Sequence, residues 1–544
     1  MDIVKPIDLT DLGDLLTRGQ EDDAGHLEYK YKLTKLAPAQ KDRLISQMKY
    51  RLHSDQEFGE AIYDIGLTDD GFALGLTDNE MKESLANLRE IASAAGAKIC
   101  DVRREMVTHY AESEEELVSK FTEKYKHKKS TGTSSGSPEP GDSTSADAKR
   151  KATKSPNSPT YHKFIRHVAE VLIRKNDEGS DYIELRIGVA GNVDCGKSTL
   201  VGVLTKGVLD DGRGGARLSV FNFKHEAEVG RTSSVAQQIM GFNDKGQTVN
   251  DTIGIRKPTW EDIVTHSTKV VTFFDLAGHE RYLRTTISGM TSNKLDYALI
   301  MVGSNMGITQ MTVEHVNLCL TLGVPFIIVM TKSDLAPPAI KKRTFDQITE
   351  LVKKKARKLV YNINGIDDVM QCSKKIVGGD IVPIFHISNV TGEGLDLLKV
   401  FMNYLPVRKS YRKAKTKPVK MQVQDIYNIT GTGTVVAGML TSGRVKIGDN
   451  LLLGPTPTGD FIDARVRTIE SKRVVVRDVT AGKFVCLGIP NVSKGKAKKG
   501  MFILDPRLKP KAVWEFIATI YINTVESSNV KVGYQPHCHI GHIK

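Results

Sequence analysis

The sequence predicts an α/β domain whose parallel sheet is covered by helices on both faces, followed by β-barrel structure and preceded by a small α/β module. Three observations carry this. Between residues 161 and 407, near-continuous apolar runs (LRIGVA, KVVTFFD, YALIMV, FIIVMT and VPIFHIS) alternate with helical stretches, the pattern of strands buried on both faces. From about Pro418 the texture changes to short β-rich runs with glycine turns, as in TGTGTVVAGMLTSGRVKIGD. Between residues 127 and 160 lies a stretch rich in Ser, Thr, Pro and Gly with almost no large apolar side chain. It cannot offset the entropy of folding and reads as a flexible linker.

A chain of 544 residues is too long for one core. The expected division is an N-terminal α/β module (1–126), the linker (127–160), the α/β domain (161–407), a β-barrel (412–508) and the start of an incomplete second barrel (511–544). In the first module, EAIYDIGL and FALGL flank Asp69-Asp70-Gly71, a hairpin signal. Thr77 and Glu80 form a capping-box pattern ahead of Met81, Leu85, Leu88 and Ala92 at helical spacing. Gly96 ends that helix and AKICDV reads as a further strand. No catalytic constellation falls here, so the module reads as a packing or docking unit. In the last segment VWEFIATIYI opens a strand, and the sequence stops before a barrel can close.

Composition narrows the function. No apolar run approaches the roughly 20 residues of a membrane helix, and acids stand at the N-terminus where a signal peptide carries basic residues. Six scattered cysteines without a C-x-x-C pair fit reduced thiols in a cytoplasmic protein and argue against a disulfide framework or a zinc finger. A net charge of +13 points to a polyanionic partner.

The chemistry lies at strand ends. Gly191-Asn192-Val193-Asp194-Cys195-Gly196-Lys197-Ser198 fits G-x-x-x-x-G-K-[ST] between a strand and a helix that continues through Thr199. Its glycines let backbone N–H groups turn toward phosphates, Lys197 places a cation on the β and γ oxygens, and the Ser198 hydroxyl suits Mg²⁺. Asp275 leaves the strand KVVTFFD, where an acid can hold a water on Mg²⁺. Gly278 can bring its N–H to the γ-phosphate, and His279 is a candidate for positioning the attacking water. Thr331-Lys332-Ser333-Asp334 follows FIIVM. Asp334 can accept from the N1–H and 2-amino group of guanine, which adenine does not offer. Ser388-Asn389-Val390 can present a backbone N–H to the guanine 6-oxygen. Four motifs in this order describe an α/β P-loop GTPase domain binding GTP and GDP.

GNVDCGKST, DLAGHERY, TKSD and SNV resemble the translational GTPases, the class of elongation factor Tu and elongation factor 1-alpha. The barrel run GTGTVVAG…SGRVKIGD is similar to that class's second domain. RGGARLSVFNFKHEAEVGRTSS, VNLCLTLGVPF and SNVTGEGLDLLKVF resemble the GTP-binding protein 1 and 2 family. The resemblance implies a G domain, two β-barrels and an N-terminal extension, and ribosome-linked work with aminoacyl-tRNA or other RNA. It places Thr232 at the switch threonine that ligates Mg²⁺ in the GTP state, Asp194 at a monovalent-cation position, and His279 at the catalytic histidine, with Lys197 and Gly278 beside it. The chain departs from the class at Asn192 and Cys195, which replace P-loop histidines. Arg231 stands at the isoleucine that gates the histidine, and Thr331 replaces an asparagine of the base motif.

Weaker features remain. His537, Cys538, His539 and His542 crowd near the C-terminus, but a barrel strand explains them better than a metal site lacking a full ligand set. The basic runs KKRTFDQITELVKKKARK and SKGKAKKG read as solvated faces or RNA-facing surfaces. The expectation is a monomeric GTPase that acts with the ribosome and tRNA in elongation or quality control. Against it stands an RNA-associated adaptor, as in mRNA decay, for which GTP only sets conformation.

Overall fold

The computed structural model describes residues 27–53, 59–68, 71–111, 113, 162–175, 182–221, 226, 232, 234–252, 258–409, 411–519 and 535. The linker, Asp69, Asp70, Arg231 and the His537–His542 cluster lie outside these residues.

The first sheet has four strands in the order Leu27–Lys30, Glu60–Ile65, His162–Lys175, Ala97–Ala111. The first pair is parallel and the other two pairs are antiparallel. This corrects the expected domain boundary. Residues 162–175, placed at the start of the α/β domain, are an inner strand of the preceding module's sheet. The hairpin signal is met by one bridge, Leu67 to Ala73, while FALGL forms no strand of its own. The Thr77–Glu80 capping box opens helix Asp78–Ala94 as expected.

Strand alternation sends the two faces of this sheet to different partners. Ala61, Tyr63, Ile65, Ala169, Val171 and Ile173 pack under helices Pro38–His53 and Asp78–Ala94 through Met48, Leu52, Met81, Leu85 and Leu88. Ile62 and Leu172, on the opposite face, join the core of the next domain with Leu185 and Phe401. The module is therefore packed onto that domain. At the junction Glu60 sits between Arg174 (3.1 Å) and Lys269 (2.8 Å). Arg174 also donates to the Asn403 carbonyl (2.8 Å) and side-chain oxygen (2.6 Å).

The seven-stranded sheet runs Leu359–Asn362, Ile381–His386, Phe326–Thr331, Tyr297–Gly303, Ile183–Gly191, Lys269–Asp275, Ala236–Phe242. All pairs are parallel except the last, where Ala236–Phe242 lies antiparallel to Lys269–Asp275. The parallel strands end together, and their C-terminal ends carry the motifs, as expected for ligand sites in parallel sheets.

Residues 420–504 form an antiparallel eight-stranded sheet and a two-stranded one around Met421, Val423, Val436, Leu440, Leu453, Val485, Leu487 and Ile503. Its hairpin turn, with Lys472 and Arg473 both at positive φ, docks on the α/β domain. Lys472 pairs with Glu184 at 2.8 Å and donates to Thr272 at 2.8 Å. Burial opposes the Glu184 charge, but Lys472 and Arg186 outweigh it and hold the carboxyl at about 2. The strand expected from Val513 is not formed over residues 511–519, where Trp514 and Ile517 are exposed, and the rest of that segment apart from residue 535 lies outside the described residues. Among the described residues, no helix is long and apolar enough to cross a membrane.

Candidate functional site

Strand Ile183–Gly191 turns at once into helix Lys197–Lys206. Asp194 (φ 59°) and Gly196 (φ 87°) take left-handed conformations that bend the loop back on itself. A side chain on Gly191 would meet the Met301 carbonyl oxygen at 2.5 Å, so this strand end tolerates only glycine. Gly196 caps the helix without a side-chain acceptor, leaving first-turn N–H groups available to an anion.

Val193, Asp194, Gly196, Lys197, Ser198, Thr199, Thr232, Gly278 and His279 line one small cavity of about 50 Å³. Lys197 donates to the Asn192 carbonyl at 2.7 Å, and a Cβ on Gly278 would fall 2.2 Å from its ammonium. Gly278 is thus a point of close approach. The Cys195 thiol also donates to the Asn192 carbonyl (2.9 Å), and burial raises its pKa, so it behaves as a neutral packing group.

Ser198, Thr232 and Asp275 converge although they are distant in sequence. The Ser198 hydroxyl donates to Asp275 Oδ2 (2.5 Å) and lies 2.8 Å from Thr232 Oγ1, which is 3.3 Å from the same carboxylate oxygen. Asp275 is fully buried, and Oδ1 has no hydrogen-bond partner among the described residues. Burial pushes this carboxyl up to about 6, while Lys197 and the two hydroxyls pull the other way. One carboxylate with an orphaned oxygen and two hydroxyls make a hard, incomplete donor set. It fits a cation that keeps waters and takes phosphate oxygens, as Mg²⁺ does. Among the described residues no cluster of three or more His, Cys, Asp or Glu offers another metal site.

The base-side motifs adjoin the loop. The Thr331 hydroxyl donates to the Cys195 carbonyl at 2.8 Å, so this departure from asparagine still ties the two motifs together. Lys332 takes a positive φ in the turn that presents the exposed Asp334. Ser388 Oγ accepts from the N–H groups of Val390 (3.2 Å) and Thr391 (3.1 Å), shaping the turn on which Asn389 and the exposed Val390 stand. Asn389 Oδ1 is buried without a hydrogen-bond partner among the described residues.

His279 is half-buried at the cavity, with Nδ1 accepting from the Arg281 N–H at 3.1 Å and its ring edge-on to Tyr282. A further cavity residue, Arg217, escaped the sequence reading. Its run RGGARL carries no phosphate motif, and only the folded turn brings it to the loop.

A P-loop nucleotide-binding domain joined to a β-barrel is the class that fold and pocket define. Residues 184–407 match the family of the elongation factor Tu GTP binding domain. Over 518 residues the chain is 37% identical to GTP-binding protein 1 of Xenopus laevis, covering 95% of this chain and 70% of that protein. It is 36% identical over 529 residues to GTP-binding protein 2 of Homo sapiens, with 96% and 78% covered. Elongation factor 1-alpha of Metallosphaera sedula is 25% identical over 377 residues, 65% of this chain and 79% of that one. The chain belongs to the GTP-binding protein 1 and 2 family and is a GTPase of the translation-factor type.

Proposed function

We propose that the protein hydrolyses GTP on the ribosome, in company with aminoacyl-tRNA or another RNA, in elongation or quality control. It would do so as a cytoplasmic monomer. The observation that carries this reading is the state of His279. It lines the same cavity as Lys197 and Thr232, yet its Nδ1 is held by a local N–H. A histidine held in this way needs an outside contact to reorient it, so turnover of the protein alone should be slow.

The other residues take their roles around it. Lys197 exchanges the Asn192 carbonyl for β and γ oxygens, and Gly278 approaches the γ-phosphate with its N–H. Asp334 accepts from guanine, while the turn of Ser388, Asn389 and Val390 lies against the base. Ser198, Thr232 and Asp275 would hold Mg²⁺, which neutralises charge on the phosphates. The exposed Asp194 is the proposed ligand of a monovalent cation. A cavity of about 980 Å³ separates the α/β domain from the barrel, lined by Arg284, Arg473, Trp260 and Tyr427 among others. Cations beside aromatic faces suit a nucleic acid end, and the net charge of +13 suits a polyanion.

GTP turnover with and without ribosomes tests the reading. Ribosomes should stimulate the parent strongly, and His279→Ala should lose roughly 10²–10⁴ of the stimulated rate with GTP affinity nearly unchanged. A parent rate indifferent to ribosomes would favour the RNA-associated adaptor instead.

A further inference from the structure

We propose that Arg217 supplies a guanidinium in cis to the phosphates of the bound nucleotide and stabilises the charge that moves during hydrolysis. This rests on the assignment of the P-loop cavity to the β and γ phosphates. Arg217 lines that cavity together with Lys197, Ser198, Thr232, Gly278 and His279. It is therefore on the side where the γ-phosphoryl group is attacked, not on the base side.

Its position is fixed by the turn that carries it. Asp210, itself buried, accepts from the N–H groups of Gly212 (3.1 Å), Gly214 (3.1 Å) and Ala216 (3.0 Å). Asp211 accepts from Arg213 (2.9 Å) and Gly215 (3.0 Å). The two carboxylates wind residues 210–216 into a compact turn that feeds the short helix Ala216–Ser219. That helix lies directly against the P-loop helix, because a Cβ on Gly202 would fall 2.2 Å from the Ala216 carbonyl oxygen. The turn is also tied to the base side, since the Asp210 N–H donates to the Asn389 carbonyl at 2.9 Å. Arg217 thus stands in a frame built from the two loops that grip the nucleotide. Its guanidinium lies over Gly214, where a Cβ would come within 2.6 Å of Nε.

The chemistry follows from charge. A water oxygen bonds to the γ-phosphorus as the bond to the β–γ bridging oxygen breaks, and the electron pair leaves on GDP. The water proton passes to phosphate or solvent. Arg217 forms no bond and exchanges no proton. Its planar fork donates to the oxygens that gain charge. A guanidinium placed in cis raises phosphoryl-transfer rates well above those of GTPases that lack one.

Single-turnover hydrolysis of bound GTP by the full chain without ribosomes tests this separately from ribosome stimulation. Arg217→Ala should slow the parent rate by roughly 10²-fold. Arg217→Lys should recover only part of it, and Arg213→Ala, on the exposed side of the same turn, should hydrolyse like the parent. GDP affinity and the melting temperature should stay near parental values in Arg217→Ala. Binding of GDP with aluminium fluoride, which mimics the transferring phosphoryl group, should weaken sharply. Parental hydrolysis and parental fluoride-complex binding in Arg217→Ala would overturn the proposal. So would a collapse of GDP binding and melting temperature together, which would make Arg217 a structural residue. A parent that binds no GTP would defeat the pocket assignment itself, whatever Arg217 does.

Discussion

Two buried clusters of charge in this molecule are built in opposite ways. Where the first sheet meets the α/β domain, Glu60 is gripped on one oxygen by Arg174 and on the other by Lys269. Both cations reach further, to Asn403, and Lys269 also reaches the Leu405 carbonyl. Burial pushes the Lys269 ammonium down to about 8, while Glu60 pulls the other way. At the end of the same strand that bears Lys269, Asp275 is equally buried. There one carboxylate oxygen meets two hydroxyls and the other has no hydrogen-bond partner among the described residues. Lys197 nearby meets a loop carbonyl and a distant thiol among the described residues. A buried charge whose partners are complete serves the fold, while one left short of partners beside a cavity is arranged for a ligand.

The comparison can be broken at either end. The largest effect is expected at the junction. Glu60→Ala leaves Arg174 and Lys269 buried without their carboxylate, and should destabilise by about 3–5 kcal/mol, read as a lower urea midpoint. GTP affinity of the folded variant should match the parent, and an unchanged midpoint would show that the junction charges do not support the fold. A smaller effect of the opposite kind is expected at Asp334, which is exposed and holds no part of the core together. Asp334→Asn should leave the midpoint unchanged and weaken guanine nucleotides by about 1.5–3 kcal/mol, with preference shifting toward xanthine nucleotides in competition binding. ATP displacing GDP from the parent as well as GTP does would sink the base assignment.

What was legible in the sequence follows the same division. Five parallel strands, four of them with motifs at their ends, were legible because strands buried on both faces write themselves as unbroken apolar runs. The phosphate loop, Asp275 and the base motif were legible because each is a short local pattern. Thr232 needed the family resemblance, since nothing in GRTSS alone brings it to Ser198. Strand His162–Lys175 was misplaced because its partners, Glu60–Ile65 and Ala97–Ala111, lie across the linker, and pairing at that separation leaves no local mark. The edge strand Ala236–Phe242 was missed for a related reason, as AQQIMGF mixes polar and apolar residues and is ordered by its neighbour. Glu60, Arg174 and Lys269 look like any charges in a strand until three distant segments meet. Arg217 is the same case, a charge whose use depends on where a glycine-rich turn settles.

The division between charges for the fold and charges for a ligand is tested most directly by thermal melting of Lys197→Ala, with and without a non-hydrolysable GTP analogue and Mg²⁺. A ligand that binds only the folded parent at about 100 times its Kd stabilises it by about 2.7 kcal/mol. Without nucleotide the variant should melt where the parent does, and with nucleotide it should lose most of the parent's upward shift. A variant that melts early without nucleotide, yet still gains the full shift with it, would contradict the account by making Lys197 a residue of the fold.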